Sequence, residues 1–183
     1  ANAVDDSGDG FTPETAKKTL RAVMEDCAVI AGDTVHAAAG DYDEGLMATP
    51  TGDYTTSNRV CIASSVTLVA DDGPAVTKIV GQASPNPYNA DSYGRGPCAA
   101  RCAYLATGSR LVGFTVTGGR TDNSQTGDNL YSSGGGLYCV NAAESAVALV
   151  ENCTITANYG VRGGGTYAGK FVNCRFGNNV GNG

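Results

Sequence analysis

Gly134-Gly135-Gly136-Leu137-Tyr138 recurs as Gly163-Gly164-Gly165-Thr166-Tyr167, and a second stretch recurs downstream of each copy. The first copy leads into Val150-Glu151-Asn152-Cys153-Thr154-Ile155-Thr156-Ala157-Asn158. The second leads into Phe171-Val172-Asn173-Cys174-Arg175-Phe176-Gly177-Asn178-Asn179. Cys153 and Cys174 lie 21 residues apart, as do Asn158 and Asn179. A short period built of strand and turn residues is the signature of a solenoid, in which one repeat buries its inner face only against the next. Stacked one above the other, Asn158 and Asn179 form a ladder of side-chain amides, as amides do along stacked identical strands.

Working outward, earlier runs fall on the same repeat. Phe114-Thr115-Val116-Thr117 aligns with Cys153-Thr154-Ile155-Thr156 and with Cys174-Arg175-Phe176-Gly177, while Cys61, Cys102 and Cys139 each mark the strand before it. Strands of this length, split by short polar bends, suit parallel stacking rather than hairpins. Upstream, the sequence predicts one helix over residues 13–28. Thr12 is the N-cap, Pro13 takes the first helical position, and Ala16, Leu20, Val23, Met24 and Cys27 form an apolar stripe. The expected fold is all-β: a right-handed parallel β-helix of about five coils with an N-terminal capping α-helix. It occupies residues 1–183 as a single domain. Residues 1–32 are the N-terminal loop and capping helix, and 33–183 are coils with excursions near 82–97 and 118–133.

Composition narrows the function. A net charge of −6 with only 12 Lys plus Arg is wrong for tracking phosphates, which excludes nucleic acid as a partner. No apolar run reaches the roughly 18–20 residues of a membrane span. Ala1-Asn2-Ala3 reads as a mature terminus left by signal cleavage, and seven cysteines in an acidic, lysine-poor chain predict an extracellular or cell-surface location with disulfides. The leading pairs are Cys98–Cys102, at the base of the first excursion, and Cys153–Cys174, one coil apart at about 4.8 Å.

Other candidates are weaker in their chemistry. Asp5, Ser7 and Asp9 supply the alternating oxygens of the first half of a calcium loop, with Gly10 at the turn. The twelfth position is Ala16, where a bidentate Glu belongs, so no cofactor is expected, with calcium there as the alternative. Asn152-Cys153-Thr154 fits the glycosylation pattern, and the same Asn suits the bend before a strand. His36, the only histidine, has no acid or nucleophile at a recognisable spacing and reads as structural. Asp71-Asp72 reads as a turn, and Asp122 and Asp128 fall in a loop. The excursion carrying Tyr88 and Tyr93 is a candidate binding loop.

These residues resemble secreted right-handed parallel β-helix proteins of the pectate-lyase-like superfamily. The stretch Asp9-Gly10 through Ala16, a helix, then Gly32-Asp33-Thr34-Val35 and Gly40-Asp41-Tyr42 is similar to their capping helix and first coil. The body resembles the repeat region of bacterial polymorphic outer-membrane proteins and related surface β-helices. There Gly-Gly-Ala/Leu/Ile and Phe-x-x-Asn recur. Here the counterparts are Gly135-Gly136-Leu137, Gly164-Gly165-Thr166, Ile155-x-x-Asn158 and Phe176-x-x-Asn179. The resemblance implies an extracellular structural or adhesive protein, either a surface adhesin segment or a filament subunit. Separately from the resemblance, the stretch Gly177 to Gly183 directly after a repeat strand supplies no cap, which predicts copies of the chain stacked head to tail as partners, with surface glycans as the other expected partner. The other expectation is a carbohydrate-active enzyme, a lyase or hydrolase, or a glycan-binding module. A lyase needs acids and a base converging on one sheet, and the aligned outward positions Thr115, Thr154, Thr156 and Arg175 do not supply them.

Overall fold

A computed structural model describes residues 3–50, 56–123, 130–140, 143 and 146–181. Among them there is one helix, α1 (Leu20–Asp26), and fifteen short strands. The chain first makes β1 (Thr34–Ala37), β2 (Gly40–Tyr42) and the pair β3 (Met47–Ala48) and β4 (Ser57–Ile62). It repeats the circuit as β5 (Thr67–Ala70), β6 (Thr77–Val80) and β7 (Ala100–Leu105), then as β8 (Arg110–Val112), β9 (Thr115–Thr117) and β10 (Leu137–Cys139). β11 (Leu149–Glu151), β12 (Thr154–Thr156) and β13 (Thr166–Tyr167) come next, and β14 (Lys170–Val172) and β15 (Arg175–Gly177) close the series. Successive strands go to three different sheets in rotation. The first holds β1-β5-β8-β11-β14, the second β2-β6-β9-β12-β15, and the third β3-β4-β7-β10-β13. All pairs are parallel except β3 with β4, a hairpin at the start of the third sheet.

The register aligns like with like. In the first sheet Val35, Leu68, Leu111, Val150 and Phe171 stand in one column; in the second, Tyr42, Ile79, Val116, Ile155 and Phe176 do. The inner members of both columns belong to one apolar core together with Val60, Leu105, Leu137 and Cys102. Each fully buried Val, Leu or Ile contributes about 1.5–3 kcal/mol relative to exposure. The corners between strands are left-handed. Gly113, Asn152 and Asn173 have φ of 80°, 54° and 52° at one corner, and Gly118, Ala157 and Asn178 have 73°, 55° and 54° at the next. Asn tolerates this conformation because its short polar side chain bonds locally, so the Asn before each Cys is a corner residue.

The helix is shorter than the 13–28 the sequence predicts. Thr19, not Thr12, is the N-cap, its side chain accepting from Ala22 N. Upstream, Asp5 Oδ1 accepts Ser7 N–H at 2.8 Å, Asp9 Oδ1 accepts Phe11 N–H at 3.0 Å, and Thr15 N–H donates to Thr12 O at 3.1 Å. Asp and Thr side chains close these turns and outcompete helix there. The C-terminal part of the stripe still packs as expected: Leu20 is buried in the core, with Val23 and Met24 against it, and α1 lies over β4. Leu20→Asp is therefore expected to lower stability by about 3–5 kcal/mol in urea titration, and an unchanged midpoint would contradict the capping role.

Asn158 and Asn179 are hydrogen-bonded one above the other. Asn179 Oδ1 accepts from Asn158 N (3.1 Å) and Asn158 Nδ2 (3.0 Å), Asn158 Oδ1 accepts Gly119 N–H (2.9 Å), and the two Nδ2 groups also donate to Val116 O and Ile155 O. Asn158 is fully buried and Asn179 half-buried. Asn158→Ala strands a buried N–H and C=O and should cost about 2–4 kcal/mol, whereas Asn179→Ala should cost clearly less. Equal losses in chemical denaturation would contradict the ladder's role.

Candidate functional site

Two regions break the regularity, one at each end of the sheets. At the β1 and β2 end a cleft of about 840 Å³ runs between the free edges of those strands and a wall formed by residues 10–19 and α1. Val29, Val35 and Tyr42 line its floor, and Asp33, Asp41, Asp43, Glu44 and Asp71 give it carboxylates. Only Lys17 and Lys18 among its lining residues are lysines, and the wall is tied across by Lys18 Nζ to Glu44 Oε2 at 2.6 Å. That hydrogen bond raises the Lys18 pKa, and burial pushes up the Tyr42 hydroxyl. Thr19 Oγ1 donates to Asp6 Oδ2 at 2.8 Å, which fixes the start of α1 against the wall. Lys17 is committed to Asp26 and to Asp6 O.

His36 sits on β1 at the cleft and its Nδ1 lies 2.7 Å from Asp71 Oδ1. The acid comes from the residue after β5, because β1 and β5 pair with Ala37 opposite Ala70. Sequence reading misses this partner: the first two circuits are not 21 residues long, so the repeat gives no offset linking residues 36 and 71.

At the other end, β13, β14 and β15 are the last strands of their sheets. Phe176 is 52% exposed, whereas Ile155, Val116 and Ile79, the preceding rungs of its column, are 0%. Phe171 is half-buried at a position where Val150, Leu111 and Leu68 are fully buried. The two rings meet edge to face at 5.3 Å. Lys170 and Arg175 project from these strands, and neither forms an ion pair with a described residue.

The remaining candidates are structural in their observed contacts. Asp5 and Asp9 are held below the usual carboxylate range by hydrogen bonds, chiefly from Ser7 and from Thr15, so the expected calcium oxygens close turns. Among the described residues no three metal-type side chains converge, there or elsewhere. The expected disulfides are not formed: all seven cysteines are free thiols. Cys98 is exposed in a left-handed turn at φ 63°, while Cys102 points into the core and donates to Thr117 O at 3.1 Å, so the two sulfurs face apart. Cys153 and Cys174 occupy matching corners of successive rungs, each donating to a carbonyl of its own corner, Glu151 O and Val172 O. Asn152 Oδ1 accepts Asn173 Nδ2 at 2.6 Å, a second amide ladder at the glycosylation candidate. Tyr104, Tyr138 and Tyr167 stack along the third sheet at 5.7 and 5.1 Å, the tyrosine of the repeated glycine motif supplying two of the three rings. In the first excursion Tyr93 stacks on Tyr159 at 5.5 Å and the Tyr88 ring is exposed to solvent. Asp122 is buried, and Asp128 lies outside the described residues, as do residues 124–129 of the second excursion.

No helix among the described residues is long and apolar enough to cross a membrane. No family model, curated protein or solved structure matches the chain.

Burial raises the thiols of Cys61, Cys102, Cys139 and Cys153 from their usual 9.0 to about 12. An exposed thiol reacts as thiolate and a buried one does not. Under native conditions at pH 8, Cys98 should react with Ellman's reagent far faster than these four, which should respond only on unfolding. The unfolded chain loses these protons first. Stability is therefore unaffected by them below pH 9.0 and falls as pH climbs toward about 12.

Proposed function

We propose that the chain is a right-handed parallel β-helix acting outside the cell or on its surface as a structural or adhesive element. The rotation of strands among three sheets and the in-register columns support the β-helix reading. The resemblance of the Gly-Gly and Phe-x-x-Asn positions to surface β-helices supports the extracellular role. The observation that carries the reading is that the rungs are fixed to one another by buried amides and stacked rings, Asn158 on Asn179 and Tyr104 on Tyr138 on Tyr167. Fractionation with an antibody to the chain should find it in the medium or on the cell surface, and a chain confined inside the cell overturns the reading.

A further inference from the structure

We infer that the cleft at the β1 and β2 end binds a linear aliphatic oligoamine, a run of methylenes carrying two or more ammonium groups. Three features of the cavity select that chemistry.

The first is shape. Residues 33–44 line the cavity almost without interruption, so it follows β1 and β2 around the corner between them. It is a trough rather than a round pocket, and its volume of about 840 Å³ lies within the range of small-molecule sites. The space exists with the wall in place: Lys18 Nζ reaches Glu44 Oε2 at 2.6 Å while the cavity stands open, so residues 10–19 need not move.

The second is the surface of the trough. Val29, Val35 and Tyr42 make its floor apolar, and Phe11, 80% exposed, stands on the wall. Methylenes pack on such a floor, and an ammonium is attracted to an aromatic face. Thr67 N–H donates to Asp33 O and Asp71 N–H to Ala37 O, so Asp33, Val35 and Ala37 turn their main-chain groups toward β5. By the alternation of a parallel strand, the carbonyls of Thr34 and His36 point into the trough. An ammonium has three N–H donors and no acceptor, so carbonyls and carboxylates are the partners it needs.

The third is the placement of charge. Of the five carboxylates in the lining, three already have partners: Asp41 has Lys78 at 3.0 Å, Glu44 has Lys18 and Asp71 has His36. The other two, Asp33 and Asp43, form no ion pair with a described residue. Asp33 Oδ2 accepts Ile30 N–H at 2.9 Å, which fixes that carboxylate in place. The two stand at opposite ends of the trough, one residue before β1 and one after β2. Two anionic points joined by an apolar channel match two ammonium groups joined by methylenes, whereas a compact cation meets only one of them. A divalent metal fits less well, because among the described residues no three metal-type side chains converge. The net charge of −6 favours the approach of a polycation.

The test is isothermal titration calorimetry with spermidine at low ionic strength. Asp33→Asn and Asp43→Asn should each weaken binding by about threefold or more, and the double variant by about tenfold or more. Glu25→Gln removes one charge from α1 outside the trough and should change the affinity by less than about twofold. That control separates a site from general attraction to an acidic chain. Propylamine, with a single ammonium, should bind about tenfold more weakly than spermidine. In NMR spectra of the wild type, spermidine should shift the amides of Thr34, His36 and Tyr42 and leave those of Thr154 and Thr156 in place. The inference is overturned if spermidine does not bind, or if Glu25→Gln costs as much as either trough variant. It is equally overturned if propylamine or magnesium ion binds as tightly as spermidine, or if the shifts fall outside the trough.

Discussion

The structure depends on one contact, the carboxamide of Asn158 lying against a glycine. Its two ends bind Gly119 N–H and Val116 O of the rung before and Asn179 Oδ1 of the rung after. A Cβ on Gly136 would sit 2.9 Å from Asn158 Cγ, and one on Gly165 3.0 Å from Asn179 Cγ. So the repeated glycine pair and the repeated asparagine are two halves of one device. The amide satisfies backbone groups that a corner leaves unpaired inside the core, and the missing side chain gives it room. The same device sets register. A slip of one residue would turn every strand's apolar face outward, and it would also tear the amide from both neighbours.

That device is why so much of the fold is legible in the sequence. The 21-residue offset between Cys153 and Cys174 and between Asn158 and Asn179 is the offset of the β12–β15 pairing itself, Thr154 opposite Arg175. Where circuits vary in length the reading loses grip. β1 and β5 pair at a different offset, so the His36–Asp71 contact at the cleft carries no periodic mark. The helix illustrates a different loss: residues 13–19 have helical spacing, but Asp5, Asp6 and Asp9 capture nearby N–H and hydroxyl groups, and those local bonds decide the conformation. The disulfide expectation fails because proximity along a stack says nothing of direction. Cys102 faces the core and Cys98 faces solvent, while the Cys153 thiol points at Glu151 O of its own corner and the Cys174 thiol lies equally near Val172 O of its own corner and Val150 O of the rung before.

The ends of the sheets obey the same physics as the middle. An inner rung satisfies its backbone and its apolar column on both sides; a terminal rung does so on one. α1 and the β3–β4 hairpin settle this for the third sheet at the start of the chain, and leave β1 and β2 facing an acidic cleft.

The most direct test is a double-mutant cycle in urea between Gly165→Ala and Asn179→Ala, since the atoms nearest a Cβ on Gly165 all belong to the Asn179 side chain. The account predicts that each single change destabilises the chain and that the two together cost clearly less than their sum, because both break one contact. Additive losses would contradict it.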